Sequence, residues 1–136
     1  MASGIYTTFK EYAADATVDL DTHTFKVALL GTTHAYSAAN SVWTDVSANE
    51  ITGTGYTAGG TTLGTVTWAA SGTSMKWDAA DASWTTASFT AYHAVIYDDT
   101  HASDALVCSI DLGGAQTVSA GTFTIQWNTD GILLIT

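Results

Sequence analysis

The chain has no proline and a single cysteine, and only three of its 136 residues are Lys or Arg. A lone cysteine cannot form an internal bridge, which excludes a disulfide-stapled secreted scaffold and points to folding in a reducing cytosol. Cys108 sits in the apolar run ALVCSI and reads as a buried, inert thiol rather than a nucleophile. Against three cations stand thirteen Asp and Glu, for a net charge of −10 at pH 7. Nucleic acid and anionic bilayers repel such a chain, so neither is expected as a partner. No apolar run approaches the roughly 18 residues a spanning helix needs, and the start MASGIYTTFKEYAADA lacks a basic region followed by an apolar one. A soluble, unexported protein is expected.

Charged residues of both signs make up 12% of the chain, about half the roughly 25% of an average domain. So few charges suggest that much of the working surface faces neighbours rather than bulk water. What fills the space is Thr and Ala, together about a third of the residues, with five Trp and six Tyr. Thr, Val, Ile and aromatic side chains suit a pleated, half-buried surface. The length fits one domain, residues 1–136, able to bury about two-thirds of its unfolded surface.

One short helix is expected within residues 1–16, where Ile5, Phe9, Tyr12 and Ala13 recur at helical spacing behind Ser3 as N-cap. Strands are expected at 24–30, 62–70, 74–78, 84–90, 92–98, 105–112, 122–127 and 132–135. From Thr32 to Asn49 a long loop with one helical turn is the safest reading. Ser71-Gly72-Thr73 reads as a hairpin turn, Gly113-Gly114 as a strand terminator, and Asn128-Thr129-Asp130-Gly131 as a turn joining the last two strands in a hairpin. Seven or eight such strands argue for a mainly β protein, an antiparallel sandwich or small barrel.

The motif most suggestive of chemistry is Gly53-Thr54-Gly55-Tyr56-Thr57-Ala58-Gly59-Gly60. A dinucleotide fingerprint needs a strand before it and a helix opening on its last glycine, and a phosphate loop needs Gly-Lys-Ser/Thr; neither pattern is met. The glycines Gly53, Gly55, Gly59 and Gly60 instead read as structural turn residues, with the Tyr56 ring packed between them. His23, His34, His93 and His101 share no metal-ligand spacing, and Asp98-Asp99-x-His101-x-x-Asp104 reads as a solvated turn. No catalytic residue, cofactor site or metal site is assigned. Of the tryptophans, Trp68, Trp77 and Trp127 fall at core-compatible strand phases, while stacking of exposed indoles on sugar rings is the functional alternative.

Several segments together resemble a family of small virion structural proteins of tailed bacteriophages: SGIYTTFKE, VDLDTHTFKVALL, DVSANEITGTGYTAGGTTL, YHAVIYDDT and TVSAGTFTIQWNTDGILLI. The most specific stretch is Asp45 to Leu63, followed by the ending that contains Gln126, Trp127, Gly131, Ile132 and Leu133. Residues 63–84 are the least family-like. The resemblance implies a head decoration or cement protein on the capsid exterior, made in the host cytoplasm. Such a protein has the major capsid protein as partner, is a homodimer or homotrimer, and carries no enzymatic residues. Within that reading Ile5, Tyr6 and Phe9 of the helix, or Tyr36 and Trp43 of the long loop, are the expected contacts. A tail or tail-fibre component that touches the host by carbohydrate stacking is the alternative. A glycan hydrolase using Asp98, Asp99 or Asp130 is a third reading, with no activity expected.

Overall fold

A computed structural model describes residues 3–136; Met1 and Ala2, which open the expected N-terminal segment, lie outside the described residues. The element order is β1 (Gly4–Ile5), α1 (Thr7–Ala14), β2 (Phe25–Leu30), β3 (Thr61–Thr62), β4 (Thr67–Ser71), β5 (Ser74–Asp78), β6 (Ala82–Asp98), β7 (Ala105–Ile125) and β8 (Leu133–Ile135). Two 3-10 turns, Trp43–Asp45 and Ser47–Asn49, interrupt the loop between β2 and β3. Every pairing is antiparallel, in one sheet ordered β1-β7-β6-β2-β3 and a second ordered β4-β5-β8. Neither sheet closes on itself, so the mainly β expectation resolves to a sandwich rather than a barrel.

The core lies where β2 and the adjoining halves of β6 and β7 meet. Every residue of β2 except the partly exposed Lys26 is buried, as the continuous apolar end VALL predicts. Trp77 ties the two sheets together: its indole meets Phe25 edge-on at 4.9 Å, and its Nε1–H donates to the Leu20 carbonyl at 3.0 Å. Helix α1 lies against β7 with Phe9 in the core, which supplies the dock that so short a helix needs.

Four local expectations fail for identifiable reasons. Ser3 is not the helix N-cap, because its hydroxyl accepts the Asp111 N–H at 2.9 Å while Gly4 and Ile5 pair with Ser109 and Cys108. The helix therefore begins only at Thr7. The strand expected over 62–70 splits at Thr65, whose φ of 49° turns the chain out of one sheet and into the other. Strands expected at 84–90 and 92–98 are one, and so are those at 105–112 and 122–127. Gly113-Gly114 does not end a strand; it sits in a bulge where β7 runs from Asp111 to Gln116 against only His93 to Ala91 of β6.

The hairpin expected between 122–127 and 132–135 does not form. The turn does, with Gly131 N–H donating to the Asn128 carbonyl at 2.8 Å, but it carries the chain across to β5. Trp127 leaves the β7 ladder because its backbone N–H and Nε1–H donate to Asp81 Oδ1 and the Ala80 carbonyl, both at 3.0 Å. Ile132 then donates to the Trp77 carbonyl, so β8 joins β5.

Candidate interaction surface

The expected contact residues divide by burial. Tyr6 and Phe9 are core residues at 0% and 3% exposure, which corrects their assignment as outward contacts. The Tyr6 backbone N–H donates to the Val107 carbonyl, and burial pushes its hydroxyl up to about 12. Ile5 stays 39% exposed. Tyr36 and Trp43 are half-buried and already partnered. Tyr36 donates to the Ile5 carbonyl at 2.8 Å, and its ring lies over Gly4 with no room for a side chain there. Trp43 stacks on Tyr97 with ring centres 4.9 Å apart. This long loop is thus pinned to the end of the five-stranded sheet.

The glycine-rich stretch is built inward. Glu50 Oε1 accepts the Tyr56 hydroxyl at 2.7 Å and the Gly59 N–H at 2.6 Å, and the Tyr56 oxygen accepts the Leu29 N–H at 3.0 Å. Tyr97 donates to the Gly59 carbonyl at 2.6 Å, and Gly60 N–H donates to the Thr57 carbonyl. Burial and the Glu50 carboxylate raise the Tyr56 hydroxyl well above its ordinary value. Gly60, at φ 84°, passes so close to the Val27 carbonyl that a Cβ would overlap it. Amides engaged within the loop are not aimed outward at an anion.

The turn after β6 is solvated as expected, with Asp99, Thr100, Ala102 and Ser103 exposed, but Asp98 at its start is not. Asp98 is fully buried, with Oδ2 2.5 Å from His23 Nδ1 and Oδ1 accepting the Thr100 and His101 N–H groups. His34 and His93 are also buried, 5.1 Å apart between ring centres. His34 Nε2 bonds Ser109 Oγ at 3.0 Å and His93 Nδ1 donates to the Gly31 carbonyl, while His34 Nδ1 and His93 Nε2 have no protein partner among the described residues. Burial and the neighbouring His93 lower the basicity of His34. Burial pushes the Cys108 thiol up to about 12, leaving it protonated and unreactive at neutral pH. Among the described residues no group of three or more His, Cys, Asp or Glu is placed to hold a metal ion, and no helix is long and apolar enough to cross a membrane.

The far half of β6 and β7 forms an uncharged arm. Between Asp81 and Asp98, and again between Asp111 and Asp130, no Asp, Glu, Lys or Arg occurs. Strand alternation sorts this neutral arm into two faces. Inward, Trp84, Phe89 and Phe123 form an aromatic cluster with Tyr56, ring centres 5.1 to 6.4 Å apart. Outward lie Ser83, Thr85, Ser88, Thr117, Thr122 and Thr124, all exposed. Cross-strand hydroxyl pairs tie them down, Ser83 to Thr124 at 3.0 Å and Thr90 to Thr117 at 2.9 Å. Among the described residues β1 pairs with β7 only at Cys108 and Ser109, Ser3 Oγ takes the Asp111 N–H, and from Gly113 onward β7 has a ladder partner on its β6 side only. Next to this open edge a groove of about 520 Å³ is lined by Ile110, Leu112, Gln116, Phe123, Trp127 and Ile132.

A second groove, about 610 Å³, runs between the helix end and the smaller sheet, with Lys10, Asp19, Leu20, Asp21, Trp68 and Ile135 in its wall. Of the three tryptophans expected in the core, only Trp77 is fully buried; Trp68 and Trp127 are half-buried and line these grooves. The neutral arm is legible in the sequence as two long uncharged runs, 82–97 and 112–129, rich in Thr and Ser. Comparisons with family models, with curated proteins and with solved structures find no match to this chain.

Proposed function

We propose that the chain is a virion structural protein of a tailed bacteriophage, a decoration protein that binds the outer capsid shell and bridges neighbouring major capsid subunits. The observation that carries this reading is the neutral β6–β7 arm, a broad hydroxyl-covered face without one charge on a chain of net charge −10. Interface centres are depleted of charged residues, and a soluble protein does not ordinarily leave so large a face uncharged. The sequence resemblance carried by residues 45–63 and 126–133 points the same way. Inward-turned glycines, a buried thiol and fully engaged carboxylates such as Asp98 fit a protein that works by contact rather than by catalysis. Binding only the assembled lattice stabilises that lattice by mass action.

The test is to add purified protein to particles that lack it. Saturable binding at hundreds of copies per particle, with genome release moved to higher temperature, is the expected result. Binding at a few copies only would favour the tail or fibre reading, which draws on the half-exposed Trp68 beside Asp19 and Asp21 as a sugar-stacking wall. No binding to particles and no copies in the virion would end both readings.

A further inference from the structure

We propose that β7 pairs with β7 of a second copy through the run Gly121–Ile125, antiparallel across a two-fold axis centred on Phe123. Soluble proteins blunt exposed strand edges with charges, proline, bulges or shortness. Four edges here are short: β1 and β3 have two residues each, β8 three and β4 five. Among the described residues the open edge of β7 runs from Gly113 to Ile125, with no proline and no charged residue. Bulges interrupt it around Gly113-Gly114 and between Val118 and Gly121, but β7 itself carries no further insertion from Gly121 to Ile125.

Charge selects the occupant. Two copies, each at −10, repel except where both surfaces are free of acids, and this arm is such a surface. A cationic partner finds no carboxylate along Gly121–Ile125 to pair with. What the edge offers is unpaired backbone N–H and C=O groups, and an identical strand satisfies them with the self-complementarity a two-fold contact requires. In the register centred on Phe123, Thr122 of one copy stands opposite Thr124 of the other. The half-buried Phe123 and the adjoining apolar groove then flank the ladder on each side.

Five residues give about 17 Å of ladder, well short of the roughly 800 Å² per partner of standard interfaces, so dissociation in the micromolar range or weaker is expected. Copies already held on a lattice meet at high effective concentration, where so weak a contact becomes cooperative binding. The inference rests on the charge pattern of the chain, so it stands or falls apart from the capsid reading: soluble dimers that ignore particles would defeat only the latter.

Sedimentation of the wild type from low micromolar to near-millimolar concentration tests it, beside two double variants altered at the same exposed positions. Thr122→Lys with Thr124→Lys sets like charges opposite each other across the axis, and dimerisation should weaken at least about tenfold although the net repulsion between copies falls. Thr122→Lys with Thr124→Asp sets opposite charges there and should dimerise as well as the wild type or better. A wild type that stays monomeric throughout overturns the proposal and leaves the edge to a different protein. So does any result in which the two double variants behave alike, with unfolding curves confirming that each is folded.

Discussion

At the scale of single residues, this protein uses its acids in place of the cations it lacks. The side chains of Thr17 and Thr22, and then backbone N–H groups, hydrogen-bond the carboxylates of Asp15 and Asp19, while Asp45 and Asp111 accept backbone N–H groups from turns; these bonds hold each carboxyl below its ordinary 3.8. Stability from these bonds is present above that value and is lost as pH falls through the lowered ones. His34 acts in a higher window. Burial and His93 lower it from 6.5, so the folded state takes up fewer protons than the unfolded chain, and its contribution is complete above that pH and declines below it. The groups facing it are His93 and the Ser109 hydroxyl, neither of which supplies a negative charge to hold an imidazolium. We expect the urea midpoint of the wild type to begin falling below about pH 6.5, whereas His34→Gln should hold its lower midpoint nearly level down to about pH 5. A variant curve that runs parallel to the wild type would remove His34 from that account. None of this was legible beforehand, because His34 and Ser109 are 75 positions apart and only the fold brings them together.

At the scale of elements, strand existence was readable and strand connection was not. The β-branched and aromatic run YHAVIYD and the apolar run FKVALL locate β6 and β2, because the core buries both faces of each there. The Ser71-Gly72-Thr73 turn follows from its chemistry, with Gly72 at φ 62° and the ladder closing at Ser71 opposite Ser74. Where the chain has a long-range choice, local signals mislead. Asn128 to Gly131 is a good turn, but Trp127 finds better partners at Ala80 and Asp81 than in the β7 ladder, and β8 goes to the other sheet. In the same way Gly113 and Gly114 look like terminators until the pairing shows a bulge that absorbs three extra residues. Trp77 is the test of how strongly the two sheets depend on each other, since its ring meets Phe25 and its N–H holds the Leu20 carbonyl. Trp77→Ala should lower the unfolding free energy by about 3 to 5 kcal/mol, the range for emptying a large buried aromatic site. Trp77→Phe, which keeps much of the ring and loses the hydrogen bond, should lower it by about 1 to 3 kcal/mol. Equal losses measured by denaturant unfolding would mean that packing contributes little at this position.

At the scale of the whole molecule, the distribution of charge decides how it meets its surroundings. Thirteen acids and three cations leave a repulsive field around each copy, and the uncharged β6–β7 arm is where another surface approaches most easily. Salt separates a contact made through this arm from one made through the acids. Screening shortens the reach of the field to about 10 Å at 0.1 M and about 3 Å at 1 M, which weakens repulsion between like-charged copies while leaving a neutral ladder intact. Self-association through β7 should therefore tighten as salt rises from low to near-molar concentration. Binding to the shell through the arm should change little over that range, whereas acids set against a basic shell patch would lose affinity steeply. Parallel titrations of dimer formation and particle occupancy against salt read both contacts at once. Occupancy that collapses with salt while dimers tighten would assign the shell contact to the acidic surface, and reserve the neutral arm for contact between copies.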